Sequence, residues 1–292
     1  MKKQIVLLFL LFAFTFCTQK PRTEAASQIL PSDEIRMQYS QDNFYMPILY
    51  AVINDSMQFK VFFDTGVPSK YILASDSLKA VLIGDSVSVR IGKTCQQMGI
   101  DFMRSTGTSI FDIIGKNTLI VGWEFFENKI LELSFENQYI RTYDSLPDIS
   151  AYSKTAITIS PSSHLIVPIQ VVLQGKMMED SVSIDTGNNR YASFATDLIE
   201  KYNIDTGNAY HGRAMTNVGP YSGFSLTVDT IKIGELFVTG EELRVGFRPK
   251  TRNRPAPGLL GVKTLENFSV ILDLINFDLY LKPLSEKENF GK

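Results

Sequence analysis

The feature that most constrains this chain is a long stretch of sequence that occurs twice without a gap. Residues 46–66, MPILYAVINDSMQFKVFFDTG, align with residues 167–187, VPIQVVLQGKMMEDSVSIDTG. Both copies end in Asp-Thr-Gly, and in both a proline, Pro47 or Pro168, stands at the same place before the motif. Each copy predicts a strand, a turn at Asn54-Asp55 or Gln174-Gly175, and a second strand that ends at the motif. The chain is therefore expected to consist of two similar halves.

A second repeated element follows each copy of the motif. FDIIGKNTL at residues 111–119 aligns with PGLLGVKTL at residues 257–265, and each contains two apolar residues followed by a glycine. A predicted hairpin comes next in both halves, at residues 129–143 and 268–282. Because helical patterns are scarce and strand patterns fill both halves, the sequence predicts an all-β chain of two similar lobes.

A third Asp-Thr-Gly, at residues 205–207, has neither a proline at the corresponding upstream position nor a hairpin before it. It follows FATDLIEKYN at residues 194–203, whose apolar side chains recur at helical spacing. We expect this copy to lie in a loop, with its aspartate and glycine in the positions that turns favour.

The composition is that of a globular protein. Of the 292 residues, 44% are hydrophobic and 21% are charged, which excludes a disordered chain and allows one large domain or two lobes. The 20 phenylalanines and 12 tyrosines favour strands. The formal net charge of −2 gives no support for nucleic-acid binding.

The N-terminus predicts export. MKKQIVLLFLLFAFTFC has two lysines, an apolar run and then Cys17, which is the layout of a lipoprotein signal peptide over residues 1–17. We expect a lipid on Cys17 to anchor the protein to a bacterial membrane in the cell envelope. The alternative is cleavage near Ala25-Ala26, which would give a soluble secreted or periplasmic protein.

The exported body is expected to divide into four parts. Residues 18–34 predict a mobile tether and residues 35–144 an N-terminal lobe. Residues 145–163, which are rich in serine and contain two prolines, predict a linker to a C-terminal lobe at residues 164–285.

The motifs FFDTG and SIDTG, each with a downstream apolar-Gly element, resemble those of the aspartic proteases of the pepsin and retropepsin clan. The resemblance spans residues 40–283. It implies a bilobal pepsin-like fold in which two retropepsin-like β-barrel lobes flank a cleft, with a single bacterial chain supplying both halves.

The resemblance also implies roles for the motif residues. Two aspartates would form the catalytic dyad, Asp64 and Asp185. The other motif residues would support the dyad, by hydroxyl bonds between the loops or by allowing close backbone approach: Thr65, Gly66, Thr186 and Gly187. The apolar-Gly elements at residues 113–115 and 259–261 would pack against these loops and hold them in place.

The chemistry of such a pair explains the residue types. Two carboxyl groups within hydrogen-bonding distance share one proton because both cannot ionise cheaply. The ionised member takes a proton from a water molecule while the protonated member donates to the peptide carbonyl. This chemistry uses neither a metal nor a cofactor, and its partner is a peptide or protein substrate. The two histidines, His164 and His211, are too few for a typical zinc site and are expected at the surface of a monomer.

Two features depart from the family pattern. The residue after each motif is usually Ser, Thr or Ala, whereas here it is Val67 or Asn188; valine cannot donate a hydrogen bond to its carboxylate, and asparagine could. Residues 210–225, YHGRAMTNVGPYSGFS, suit a flap that closes over the peptide, with Gly219-Pro220 as its turn and Tyr221 near its tip. The alternative is a plain surface hairpin. The first half leaves only the segment 67–84 after its motif for such a hairpin, against the much longer segment 188–229 in the second half.

These features support a leading interpretation and two others. The leading interpretation is an exported aspartic endopeptidase that acts through Asp64 and Asp185. The alternative is a non-catalytic retropepsin-like envelope lipoprotein that binds peptides, and the third is a purely structural envelope lipoprotein. Two aspartates favour the enzyme, because a binding protein does not need a costly pair of like charges, whereas a single flap favours the binding protein.

Overall fold

Strand pairing builds both halves of the chain, as a computed structural model shows for residues 32–39, 45–67, 70–103, 109–216, 219–240, 243–248 and 258–284. The predicted signal peptide, Cys17 and nearly all of the predicted tether lie outside these residues. None of the helices within these ranges has the length and apolar character that a membrane-spanning segment needs.

The first half contains nine strands and one short α-helix. In chain order they are β1 (Asp33–Arg36), β2 (Ile48–Ile53), β3 (Met57–Phe63), β4 (Tyr71–Ser75), β5 (Ser86–Ile91), β6 (Thr94–Met103), α1 (Phe111–Ile114), β7 (Thr118–Val121), β8 (Ile130–Ser134) and β9 (Tyr139–Tyr143). Single 3-10 turns lie at Asp76–Leu78 and Trp123–Phe126. Six of the strands close a barrel in the order β2-β3-β7-β4-β6-β5.

The second half repeats this plan with more strands. Its elements are β10 (Ser153–Ala156), β11 (Thr158–Ile159), β12 (Leu165–Leu173), β13 (Lys176–Ile184), β14 (Ala192–Ala195), α2 (Asp197–Lys201), β15 (Tyr210–Thr216), β16 (Gly219–Thr227), β17 (Thr230–Ile233), β18 (Leu236–Thr239), β19 (Arg244–Arg248), β20 (Gly258–Leu260), α3 (Val262–Leu265), β21 (Phe268–Asp273) and β22 (Asp278–Pro283). Nine of the strands form a sheet in the order β15-β16-β19-β14-β20-β13-β12-β17-β18, and β11 pairs with β12.

The two predicted hairpins that lead to the motifs are present. The β2–β3 turn places Asn54 and Asp55 at φ of 48° and 58°, and the β12–β13 turn places Gln174 and Gly175 at 53° and 69°. Two consecutive residues with positive φ are the signature of a type I′ turn, whose twist matches that of a hairpin and which asparagine and glycine tolerate best.

The strand pairings next to the two motifs are the same in both halves. In each half the strand before the motif runs parallel to a short later strand, β3 with β7 and β13 with β20. The strand after the motif also finds a parallel partner, β4 with β6 and β14 with β19. These shared pairings confirm the prediction of an all-β chain with two similar lobes.

A six-stranded sheet joins the lobes, in the order β1-β9-β8-β21-β22-β10. The final hairpins of the two halves meet in it, with Leu133 of β8 opposite Val270 of β21. The predicted linker at residues 145–163 contributes β10 and β11, and β10 lies on β22 at the edge of this sheet. β1 begins at Asp33, within the predicted tether, and pairs with β9. One hydrophobic core cluster runs through both lobes.

The predicted match between residues 113–115 and 259–261 is wrong, although Ile114 packs against the apolar cluster that contains Val67. Residues 113–115 end α1, where Gly115 has a φ of 96° and the Thr118 hydroxyl donates to the Ile114 carbonyl at 2.7 Å. The strand that lies against β3 is instead β7, followed by Gly122, and it corresponds to β20, followed by Gly261. Two apolar-Gly patterns occur close together in the first half, and only strand pairing selects between them.

Candidate active site

Each motif aspartate is fixed by the neighbouring parallel strand. The Asp64 N–H donates to the Val121 carbonyl at 3.0 Å, and the Asp185 N–H donates to the Leu260 carbonyl at 2.9 Å. Because these bonds continue the ladders of β3 with β7 and of β13 with β20, the two motifs stand at equivalent places in their lobes. In the first half, Val121 was not identified from the sequence as the residue whose carbonyl holds Asp64. A usable signal was present, since Gly122 and Gly261 stand at nearly the same distance before β8 and β21.

The fold brings the carboxyl groups of Asp64 and Asp185 together, and they share a hydrogen bond. Asp64 Oδ1 also accepts from the Gly66 N–H at 2.9 Å, and Asp185 Oδ1 accepts from the Gly187 N–H at 2.8 Å. Only 9% of Asp185 is exposed. Two partly buried carboxyl groups in contact are held in the same way by the two lobes.

The environment makes one of these carboxyl groups hard to ionise. Burial raises the pKa of Asp64 well above its ordinary value of 3.8, the charge of Asp185 raises it further, and the hydrogen bond to Asp185 adds to both effects. The Gly66 and Gly187 N–H groups act in the opposite direction, since they stabilise the ionised form. The pair therefore retains one proton at a pH where free carboxyl groups are ionised.

The two motif glycines allow this contact. A methyl group built on Gly66 would lie 2.5 Å from the Asp185 Cγ and Oδ1 atoms, and one on Gly187 would lie 2.4 Å from Asp64 Oδ2. Real side-chain carbons do not approach oxygen this closely, so each glycine makes room for the carboxylate of the opposite lobe.

The two threonines link the loops directly. The Thr65 N–H donates to the Thr186 hydroxyl at 3.0 Å, and the Thr186 N–H donates to the Thr65 hydroxyl at 3.0 Å. Each hydroxyl in turn donates across the join, Thr65 to the Ile184 carbonyl at 2.9 Å and Thr186 to the Phe63 carbonyl at 2.7 Å. Both threonines are buried, so every polar group in this link has its partner in the protein.

The third Asp-Thr-Gly makes the same local turn in a different place. Asp205 Oδ1 accepts from the Gly207 N–H at 2.9 Å, as in the other two copies. The turn lies in an exposed loop between α2 and β15. There the Gln174 Nε2 group donates to the Asp205 carbonyl at 2.7 Å, and the Asp205 N–H donates to Gln174 Oε1 at 3.0 Å. The loop position agrees with the sequence prediction, and this copy does not join the dyad.

No model of a known protein family matches the sequence, and no curated protein matches it. The likeness to known proteins is structural. The crystal structure of the aspartic proteinase from Irpex lacteus is similar with a TM-score of 0.51, and the match covers 87% of this chain and 98% of that chain at 16% sequence identity. The chain has a pepsin-like fold. At this identity the likeness concerns the fold alone.

Within this pepsin-like fold, the residues after the motifs give the dyad no side-chain donor. Val67 packs in an apolar cluster with Met46, Phe62 and Leu73. The Asn188 Nδ2 atom is buried and finds no hydrogen-bond acceptor in the described part of the chain, while its Oδ1 atom accepts from the Arg190 N–H at 3.3 Å. The bond that Asn188 could have given to its carboxylate is therefore not made.

The hairpin predicted as a flap is present in the second lobe of the pepsin-like fold. β15 and β16 pair from Tyr210 opposite Ser225 to Thr216 opposite Gly219, and the two residues between these strands, 217–218, lie outside the described residues. The prediction that Gly219-Pro220 forms the turn is wrong, because both residues begin β16, where a proline is tolerated. Tyr221 lies in β16 opposite Ala214 rather than at the tip.

An aromatic ladder anchors the base of this hairpin. Phe224 of β16 stacks on Phe247 of β19 with ring centroids 5.2 Å apart, and Phe247 contacts Phe194 of β14 at 6.0 Å. The His211 ring of β15 extends the ladder at its exposed end, with its centroid 5.9 Å from that of Phe224. Because Phe194 and Phe247 are buried, the ladder ties the hairpin to the core of the second lobe.

The first lobe has no matching hairpin among its described residues. Between β4 and β5, residues 76–85 form only a 3-10 turn and bends. In the second lobe, β16 covers the outer edge of β19. The asymmetry predicted from the loop lengths is therefore present in the strand topology.

The two histidines lie just before β12 and in β15. His164 Nδ1 is 2.9 Å from the Ser162 hydroxyl in the turn before β12, and His211 is exposed on β15. No group of three or more His, Cys, Asp or Glu residues that could hold a metal ion occurs within the described ranges.

Proposed function

We propose that this protein is an aspartic endopeptidase that uses Asp64 and Asp185 to hydrolyse peptide bonds. The observation that carries the proposal is the shared hydrogen bond between these two carboxyl groups, at equivalent positions of the two lobes. Like charges in contact cost free energy unless a proton is shared, and shared-proton carboxyl pairs are suited to acid-base catalysis. The pepsin-like fold supports the same conclusion.

The chemistry follows from the protonation state of the pair. The ionised carboxylate takes a proton from a water molecule as the water oxygen attacks the peptide carbonyl carbon, while the protonated carboxyl donates to the carbonyl oxygen. The tetrahedral intermediate then breaks its carbon–nitrogen bond as a proton passes to the leaving nitrogen. The buried hydrogen bonds between Thr65 and Thr186 keep the two carboxyl groups at a fixed separation during the reaction. The substrate is a peptide in an extended conformation.

The dyad is tested by three matched substitutions. Asp64→Asn and Asp185→Asn should each abolish cleavage of a denatured protein substrate, because a catalytic pair acts as a unit. Asp205→Asn is the control, since Asp205 makes the same local turn outside the pair. A peptide with a statine residue, which mimics the tetrahedral intermediate, should inhibit the parent. Loss of cleavage in Asp205→Asn with cleavage retained in Asp185→Asn would contradict the proposed pairing.

A second candidate function is peptide binding without cleavage. The observation that favours it is the single hairpin: the described part of the first lobe offers nothing opposite β15 and β16 to enclose a peptide. The two functions are separated by assaying the parent from about pH 3 to pH 8, a range that covers the pKa values available to a shared-proton pair. If the parent cleaves no denatured protein in this range but binds peptides in an Asp64-dependent way, the binding function replaces the enzyme.

We further propose that the protein works outside the cytoplasm, anchored through Cys17. The support is the sequence pattern of residues 1–17, with two lysines, an apolar run and a cysteine. The predicted tether, residues 18–34, follows Cys17 and overlaps the start of β1 at Asp33. An anchored peptidase would act on peptides and unfolded proteins of the envelope.

A further inference from the structure

Arg190 has donors that nothing in the described part of the chain uses. Of the five arginines whose side chains are described, the other four contact a carboxylate or an aromatic ring: Arg36, Arg90, Arg141 and Arg244. Arg190 is half-buried, yet within the described residues its guanidinium makes no ion pair and no hydrogen bond. A guanidinium carries five N–H donors, and none of the Arg190 nitrogens is among the buried, unpartnered atoms, so these donors are open to solvent and to a ligand.

The loop that carries Arg190 is held beside the dyad. It begins directly after Asp185-Thr186-Gly187, and the turn into α3 pins it. The Asn188 carbonyl accepts from the Val262 N–H at 2.9 Å, and the Arg190 carbonyl accepts from the Lys263 N–H at 3.3 Å. The position of Arg190 relative to Asp185 is therefore fixed by the backbone on both sides.

The aliphatic part of the Arg190 side chain lies over Gly246, and the space left by the missing side chain of this glycine is called the notch here. Gly246 of β19 lies between Ser193 of β14 and Ser225 of β16, which are its register partners. A methyl group on Gly246 would lie 3.5 Å from Arg190 Cδ and 3.2 Å from the Ser193 hydroxyl. Ser193 and Ser225 are 2% and 5% exposed, and the Ser193 hydroxyl makes no hydrogen bond to another described residue. Arginine and hydroxyl donors thus converge on one face of the sheet.

The first lobe shows that this arrangement is not required by the fold. Pairing of β4 with β7 places Leu73 where the second lobe has Ser193, and the same face is filled by an apolar cluster that includes Leu73, Ile120 and Phe111. Lys70 precedes Leu73 by the same spacing as Arg190 precedes Ser193, and it pairs with Glu127 at 3.2 Å. Arg190, the equivalent cation of the second lobe, has no such partner within the described ranges.

We infer that Arg190, with the hydroxyls of Ser193 and Ser225, forms a subsite next to Asp185 that binds a carboxylate of the peptide substrate. The planar guanidinium matches a carboxylate through two parallel hydrogen bonds, and the serines are neutral donors for the remaining lone pairs. The inference rests on the proposed function, since it names the substrate class of the same cleft. The carboxylate comes either from an Asp or Glu side chain or from the C-terminus of a short peptide.

The test compares peptides that differ only in this group. A sequence cleaved by the parent is made with Glu or Gln at each position from four before to four after the cleaved bond, each with an amidated or a free C-terminus. The parent should cleave one Glu peptide, or one peptide with a free C-terminus, at least about tenfold better than its uncharged twin, as measured by kcat/KM. Arg190→Met should reduce this ratio to near one, and Arg190→Lys should keep part of it because the charge remains. Lys201→Met, in α2, removes a cation away from the notch and should keep the parental ratio.

The outcomes separate this inference from the proposed function. If the parent cleaves but shows the same rates for charged and uncharged twins, or if Arg190→Met keeps the parental ratio, the subsite is wrong and the endopeptidase stands. If the parent cleaves nothing, the endopeptidase is wrong, and the same twins are compared by Kd. A tighter Kd for the charged twin that Arg190→Met abolishes then supports the subsite, and equal Kd values overturn it.

Discussion

Thr65 and Thr186 each accept a hydrogen bond from the other's backbone N–H, at 3.0 Å in both directions. Their hydroxyls also donate to the Ile184 and Phe63 carbonyls, the last residues of β13 and β3. The strand ends of the two lobes are thus joined by four buried hydrogen bonds directly beneath Asp64 and Asp185. The spacing of the two carboxyl groups is set by this link between the lobes.

The threonine link should stabilise the protein as well as the site. Thr186→Val keeps the volume but leaves the Thr65 N–H and the Phe63 carbonyl without their partner. We expect a loss of about 1–3 kcal/mol of unfolding free energy for each buried group left unpaired, measured by urea denaturation, together with loss of cleavage. Thr206→Val in the exposed third copy is the control and should change neither quantity. A Thr186→Val protein with parental stability would show that the link contributes nothing.

A methyl group between the carboxyl groups should separate them. Gly187→Ala places a carbon 2.4 Å from Asp64 Oδ2, so the Asp64 carboxyl group or the loop must move. We expect loss of cleavage and of statine binding, read by an activity assay and by calorimetry. The matched control is Gly207→Ala, whose methyl group would be 3.3 Å from Asp205 Oδ1 in an exposed loop. Retained activity in Gly187→Ala would contradict the arrangement.

The raised pKa of Asp64 should make stability fall as the pH rises. Burial and the nearby Asp185 charge raise this pKa in the folded state, so the folded protein keeps a proton that the unfolded chain releases. The stability is complete below the ordinary carboxyl pKa of 3.8 and is lost as the pH rises towards the raised value. Asp64→Asn imitates the protonated form and removes this penalty.

The expected result is a melting temperature for Asp64→Asn that exceeds that of the parent at pH 8, by about 2–4 °C per kcal/mol of penalty, and that approaches the parental value near pH 3. Differential scanning calorimetry across this range measures the difference. A difference in melting temperature between Asp64→Asn and the parent that grows as the pH falls would contradict the prediction. The cleavage rate should decline on the alkaline side for the same reason, since the pair then loses its shared proton.

Shortening the β15–β16 hairpin should abolish peptide capture and spare the fold. Residues 214–221 can be replaced by Asn-Gly, because Ala214 lies opposite Tyr221 and the shortened strands stay in register from Arg213 and Ser222 onwards. The Phe224 ladder at the base remains, so the melting temperature should change little. Peptide affinity, measured by calorimetry, should be lost. Parental affinity in this variant would identify the segment as a plain surface hairpin.

Membrane attachment is expected to depend on one atom, the Cys17 sulfur. Cys17→Ala should move the protein from the membrane fraction to the soluble fraction of disrupted cells, because the substitution removes the thiol to which the proposed lipid is attached. Immunoblotting of both fractions measures the change, with Cys95→Ala as the control for a cysteine of the folded body. A Cys17→Ala protein that stays with the membrane would exclude the lipid anchor.

Local patterns in the sequence determined much of this protein. Period-two apolar residues and the turn pairs Asn54-Asp55 and Gln174-Gly175 predicted both hairpins that lead to the motifs, because a type I′ turn and alternating burial are local properties. The gapless repeat predicted two similar lobes. Loop lengths predicted that only the second lobe carries a hairpin at residues 210–225.

Only the tertiary structure distinguishes the two Asp-Thr-Gly copies that come together from the third, because the local sequence pattern is the same in all three. All three Asp-Thr-Gly copies close the same turn, with an aspartate oxygen accepting from the glycine N–H at 2.8 or 2.9 Å, so the local bond does not mark the dyad. The difference comes from strands distant in sequence: the Val121 and Leu260 carbonyls fix Asp64 and Asp185, whereas Asp205 is held by the Gln174 side chain. The same long-range pairing chose β7 over Ile113-Ile114-Gly115, since hydrogen bonds between strands depend on which strands meet, and that is a property of the whole chain.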